Sequence, residues 1–169
     1  MGYEEHKILS RETPVHCAVV TVSDTRVKED DRSGAAILES ARKAGHEIVN
    51  YRIVPDDVGL IASAIDELSA ACEAILLNGG TGISKRDTTV EVVESLFEKE
   101  LPGFGELFRM LSFQEIGPGA MLSRATAGVY RDTLIFCMPG STNAVRLAMD
   151  RLIAPELNHL VWEIIRQNA

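Results

Sequence analysis

Residues 78–87 read Asn-Gly-Gly-Thr-Gly-Ile-Ser-Lys-Arg-Asp, directly after the apolar run at residues 74–77. Glycines in that place let backbone N–H groups converge on an anion without obstruction by Cβ atoms. Thr81 and Ser84 add hydroxyl donors, and Lys85 and Arg86 bring positive charge. A helix opening near Thr88 would aim the positive end of its dipole at the same space. This is the composition of a phosphate site, although a glycine-rich turn that only reverses the chain has the same residues. No Gly-Lys-Ser/Thr follows the glycines and no dinucleotide fingerprint is present, so neither standard nucleotide loop applies. Asp87 beside an anion site has two readings: it holds a divalent metal such as Mg²⁺ against phosphate oxygens, or it is a helix-start acid favoured by the dipole.

Other residues share that ambiguity. Asp56 and Asp57 follow Pro55 at the end of an apolar stretch. One of them could face the crevice as a second carboxylate, or cap the next helix. Ser23-Asp24 and Gly140-Ser141 each follow a strand-like run and could bind phosphate or cap a helix, and Ser141 could do both. Arg109, Arg124 and Arg131 are candidates for anion contacts or for ordinary ion pairs. Residues 28–32 read as a solvated loop.

The elements that must carry these residues follow from periodicity. Strands are expected at residues 16–22, 46–54, 74–77, 125–130 and 133–138, the last two joined by a turn at Arg131-Asp132. Ser33 and Gly34 open a helix that Gly45 closes. Apolar residues at helical spacing predict a second helix over 57–71. Thr88 and Glu91 form a capping box for a third, reaching about Phe97. Residues 101–119 break into short pieces around Pro102, Gly103, Gly105, Gly117 and Pro118, with Phe104, Phe108 and Met110 forming an exposed cluster. Val145 to Ile165 is helical, with Pro155 dividing or kinking it. Alternating strands and helices predict a largely parallel sheet covered on both faces. Ligands of such sheets lie outside the carboxyl ends of the strands, where residues 23–24, 78–87 and 139–143 fall.

A chain of 169 residues suits one domain, taken as residues 14–169 behind a flexible N-terminal segment, residues 1–13. The apolar share of 46% and charged share of 25% are ordinary for a globular protein. A formal charge of −8 disfavours nucleic acid as a partner. No apolar run is long enough to cross a membrane, and the start carries charges rather than a signal peptide. Three scattered cysteines and four scattered histidines give no metal spacing, and a reducing cytoplasm is the expected setting.

Five motifs occur in one order: Thr21-Val22-Ser23-Asp24; Gly79-Gly80-Thr81-Gly82 with Arg86-Asp87; Pro102-Gly103-Phe104-Gly105-Glu106 with Arg109; Ser123-Arg124-Ala125 with Ala127-Gly128; and Pro139-Gly140-Ser141. Together they resemble the MoaB/MogA family, whose molybdopterin-binding domain also occurs in gephyrin, over about residues 16–156. Residues 107–113 and Pro139-Gly140-Ser141-Thr142 are most similar to the MoaB branch. The resemblance implies a three-layer αβα sandwich around a mostly parallel sheet, assembled as a trimer or as a hexamer of two trimers. It also implies Mg²⁺-dependent transfer of AMP from ATP to molybdopterin, with release of pyrophosphate. Its two acids map onto Asp56 and Asp87, which would hold Mg²⁺ or orient the attacking phosphate. Gly79, Gly80, Thr81 and Gly82 would cradle phosphate, and Ser23, Gly140 and Ser141 would line the crevice. Val90 and Thr142 stand where adenylylating members often have proline. Some members of the MoaB branch lack the acids and bind pterin without turnover, which makes a carrier the alternative.

Overall fold

The computed structural model describes Gly2, Tyr3, Lys7, Ile8 and residues 13–164. Three helices and three strands alternate first: β1 (His16–Val22), α1 (Arg32–Lys43), β2 (Glu47–Val54), α2 (Val58–Ser69), β3 (Ala74–Asn78) and α3 (Thr89–Leu96). A two-residue strand β4 (Lys99–Glu100) leads into α4 (Pro102–Ile116) and a 3₁₀ turn (Gly117–Leu122). A hairpin, β5 (Thr126–Tyr130) and β6 (Thr133–Met138), precedes α5 (Thr142–Ala148), a π-turn (Met149–Ile153) and α6 (Ala154–Ile164). The strands form one sheet in the order β2-β1-β3-β6-β5-β4. The first four of that order are mutually parallel, and the expected Arg131-Asp132 turn reverses β5 against β6 with both residues at positive φ.

Each face of the sheet buries its own core, which gives the three layers. Cys17 and Val19 of β1 point to the side covered by α1, α4, α5 and α6, where Ile37, Phe108, Val145 and Leu157 are buried. Ala18 and Val20 point to the opposite side, covered by α2 and α3 through Ile61, Ile65, Val90 and Val93. The period-2 alternation of a strand thus feeds two cores at once, as a central parallel strand must. Burial pushes the Cys17 thiol up to about 12 and the Cys72 thiol to about 11, so both behave as small hydrophobes.

Four expectations need correction. Residues 101–119 do not break into pieces: 102–116 form one helix of 15 residues. Pro102 sits in its first turn, where no N–H is needed. Gly105 within the helix costs about 1 kcal/mol relative to alanine, while burying Phe104, Phe108 and Leu111 contributes roughly 1.5–3 kcal/mol apiece. Packing therefore decides the outcome. Phe104 and Phe108 belong to the core, so the exposed cluster on this helix is Leu107, Met110, Phe113 and Ile116. Residues 28–32 are not all solvated either, because Asp31 is buried and caps α1 by accepting from the Gly34 N–H at 2.9 Å. Thr88 and Glu91 do not form a capping box: the Thr88 side chain bonds Asp56 and Glu91 pairs with Arg124.

The region around Pro155 forms one helical run that passes through the π-turn, the widened geometry placed just ahead of the residue that cannot donate. Ile165 and most of residues 1–13 lie outside the described residues. Tyr3 and Lys7, which are described, bond Glu156 of α6.

Candidate functional site

Strands β1 and β3 are neighbours whose following segments leave the sheet in different directions, towards α1 on one face and α3 on the other. Between such diverging loops a crevice must open at the carboxyl edge. A cleft of about 490 Å³ lies there. Ser23, Gly79, Gly80, Thr81, Gly82, Asp87, Gly140 and Ser141 line it, joined by Val22, Thr25 and Arg26. Eight of the nine residues expected at the site are thus brought together.

The floor is made of backbone in contact with backbone. Gly79 has φ +92°, and a Cβ there would stand 2.3 Å from the Val22 carbonyl oxygen. A Cβ on Gly140 would stand 3.0 Å from the Gly79 Cα. Only glycine permits that approach with that dihedral. Gly80, at φ +63°, brings the loop against the buried Thr89 side chain and the Asp56 carboxylate, and its carbonyl accepts from the Thr89 N–H at 3.1 Å. Outside the cleft, Arg124 grips the loop: its guanidinium donates to the carbonyls of Thr81 at 3.0 Å and Gly82 at 2.6 Å while pairing with Glu91. The Gly79 N–H is spent on the Met138 carbonyl at 3.1 Å, so Gly79 contributes floor to the cleft and no free donor.

The two aspartates differ in setting. Asp87 lines the cleft, and its Oδ2 accepts from both the Ser84 N–H, at 3.0 Å, and the Ser84 hydroxyl. Those bonds, chiefly the hydroxyl, hold its carboxyl below the usual range, so it is ionised at neutral pH. Asp56 is the one expected residue not among those lining the cleft. It sits behind Gly80, where its Oδ1 accepts from the Thr88 hydroxyl at 2.8 Å and the Thr88 N–H at 3.3 Å, tying the end of β2 to the start of α3. Asp57, by contrast, caps α2 through the Leu60 N–H. Of the two roles left open, capping falls to Asp57, while Asp56 bonds Thr88 and does not line the cleft. Asp24 links three loops, accepting from the Asp56 N–H at 3.0 Å and pairing with Arg86. Ser23 folds its own turn by accepting from the Arg26 N–H, and Ser141 caps α5 through the Ala144 N–H.

The cleft's cation is not the one expected. Lys85 and Arg86 do not line it, whereas Arg26 does. Arg26 is held by the Gly140 carbonyl, by Ser33 and by buried Asp31. Asp31 would be pushed up by burial, but hydrogen bonds from Thr21, Tyr51 and the Gly34 N–H, with the charge of Arg26, prevail and keep its carboxyl low. Of the other arginines considered, Arg109 donates to the Ala125 carbonyl and Arg131 pairs with Asp66. Among the described residues no group of three or more His, Cys, Asp or Glu converges as a metal cage. None of their helices is long and apolar enough to cross a membrane.

Comparison with known proteins agrees with this geometry. Residues 18–159 match the family model described as "Probable molybdopterin binding domain". The chain is 51% identical to molybdenum cofactor biosynthesis protein B of Bacillus subtilis (strain 168), over 97% of this chain and 98% of that protein. A crystal structure of a molybdenum cofactor biosynthesis protein B superposes with a TM-score of 0.88 at 49% identity, covering 92% of this chain and 98% of the other. The tungsten cofactor synthesizing protein MoaB from Pyrococcus furiosus superposes with a TM-score of 0.83 at 38% identity, over 90% and 98% of the two chains. The family match over residues 18–159, the identity along nearly the whole chain and the shared fold therefore place the chain in the MoaB/MogA family of molybdenum cofactor biosynthesis proteins.

Proposed function

We propose that the protein catalyses adenylyl transfer from ATP to molybdopterin within its role in molybdenum cofactor biosynthesis. The supporting observation is the carboxyl-edge cleft, in which a glycine loop, one arginine and an ionised Asp87 line a common space. A phosphate oxygen of molybdopterin attacks the α-phosphorus of ATP, the bond to the β-phosphate breaks, and pyrophosphate leaves. Positioning and charge neutralisation are the main demands of such a step. Gly80, Thr81 and Gly82 cradle phosphate oxygens above a floor made by Gly79, whose own N–H is held by the Met138 carbonyl, and Ser23, Gly140 and Ser141 close the cleft around the guest. Mg²⁺ fits this donor set, since such sites need only one or two carboxylates beside substrate phosphates and water. Asp87 would hold the ion from within the cleft; Asp56, which bonds Thr88 outside the lining, would have to give up that contact to join it. Bound there, Mg²⁺ would neutralise charge on the phosphates. Incubation with MgATP and molybdopterin should yield pyrophosphate and adenylyl-molybdopterin, and Asp87→Ala should abolish both. Turnover undiminished in Asp87→Ala would remove the metal assignment.

A second reading, a carrier that binds molybdopterin without turning it over, is favoured by one observation: Asp56 is occupied by Thr88. Tight pterin binding with no pyrophosphate released would establish it. Under either reading the protein works in the cytoplasm and self-associates, as a homotrimer or homohexamer. The exposed Leu107, Met110, Phe113 and Ile116 on α4 support self-association.

A further inference from the structure

We infer that Arg26 is the anchor for the phosphoryl group of the ligand in this cleft, and that Ser33, Asp31 and the Gly140 carbonyl exist in part to hold its guanidinium ready. The inference rests on the proposed function for its ligand class and on the geometry for its residue. Of the described residues that line the cleft, Arg26 alone is cationic. A guest carrying phosphate otherwise meets only backbone, hydroxyls and the anionic Asp87 there.

The guanidinium is pre-positioned. Its two terminal nitrogens donate to the Gly140 carbonyl at 3.3 and 3.4 Å, and one also donates to the Ser33 hydroxyl at 3.3 Å. The Ser33 hydroxyl donates to the same carbonyl at 2.7 Å. Behind them the fully buried Asp31 side chain lies 3.5 Å from the guanidinium, with its other oxygen taking the Tyr51 hydroxyl at 2.6 Å. Five N–H donors cannot all be spent on these acceptors. The Nε has no hydrogen-bond partner among the described residues, and the side chain remains about one-third exposed. A planar cation fixed along one edge and open along the other is suited to paired contacts with phosphate oxygens. The ordering cost is met in the empty protein, so the contact contributes more to affinity than a loose lysine would. Lys85 and Arg86 lie on the exposed rim outside the cleft lining, where Arg86 is turned to Asp24.

The test uses calorimetric titration of the full chain with inorganic pyrophosphate, MgATP and molybdopterin at one ionic strength. Arg26→Ala is expected to weaken binding of the phosphorylated probe that uses the anchor by roughly ten- to a hundredfold, the range for charge-assisted hydrogen bonds. Arg26→Gln, which can still donate to Gly140, should fold normally and show a comparable loss. Arg146→Ala, removing an exposed cation paired with Glu39 away from the cleft, should bind like the parent. Loss confined to MgATP assigns the anchor to the nucleotide, and loss confined to molybdopterin assigns it to the pterin phosphate. Parent-like affinity of both Arg26 variants for every probe would overturn the anchor, while adenylyl transfer by the parent chain would leave the proposed function standing. Arg26-dependent pyrophosphate binding without any transfer would do the reverse. A parent chain with no affinity for any of the probes would overturn both.

Discussion

Replacing Gly79 by alanine tests the closeness of the cleft floor directly. The new Cβ would have to occupy a point 2.3 Å from the Val22 carbonyl oxygen, about 1 Å inside ordinary contact. That neighbour is the backbone of a central strand and cannot rotate away. Its residue would also carry φ +92°, outside the region that side chains with a Cβ adopt readily. The conformational part costs about 1–2 kcal/mol, and forcing strand and loop apart costs about 1–3 kcal/mol. Together these give roughly 2–5 kcal/mol, or a fall in Tm of roughly 4–20 °C for a chain of this size. Differential scanning calorimetry at one protein concentration would read it. Gly103→Ala is the control: nothing lies within 4 Å of its Cβ position and it is helical, so it should be neutral or stabilise by about 0.4–1 kcal/mol. If Gly79→Ala melts within about 2 °C of the parent, the backbone approach at the floor is not as described, and the phosphate cradle built on it loses its geometry.

Asp31→Asn should lower Tm at neutral pH. Because the folded state depresses the Asp31 pKa, its contribution is complete above the unfolded value near ~3.9 and is lost as pH falls through the folded one. Parent and variant should therefore converge in acid, and a gap that widens on acidification would contradict the assignment. Arg124→Ala should speed amide hydrogen exchange across residues 79–87 and lower kcat more than the melting point. Unchanged exchange would mean the guanidinium grip is incidental. Met110→Lys places a charge in the apolar face of α4 and should shift the assembly to smaller species by light scattering, without unfolding the monomer. An unaltered mass would exclude that face from the contact.

The parts legible in the sequence were those governed by local pattern. The β-branched run of β1, the helical spacing of α2 and the turn at Arg131-Asp132 each declare themselves over a few residues. So did the loop at residues 78–87, because glycines between a strand and a helix leave few alternatives. What escaped depends on distant partners. Gly105 looked like a breaker, yet a Cβ there would stand 2.6 Å from the Ala125 carbonyl oxygen, a neighbour twenty residues away. Asp31 looked like one more charge in a polar stretch, and only Thr21, Tyr51 and Arg26 make it a buried hub. Strand β4 is two charged residues at a sheet edge, paired with β5 through backbone alone, and leaves no apolar signature. The role of Arg26 had no sequence signal beyond its place three residues after Ser23, since Lys85 and Arg86 beside the glycines were the more obvious cations.

The contact of Gly79 with both Val22 and Gly140 has a mechanical implication. Three strand ends are locked together by main chain, so the base of the cleft behaves as a single stiff plate that a guest cannot deform. Any adjustment between an empty and a loaded protein must be taken up by the exposed rim at residues 83–86 and by side chains. Discrimination between guests would then reside in the side chains that line the cleft, while the anion seat stays the same for all of them.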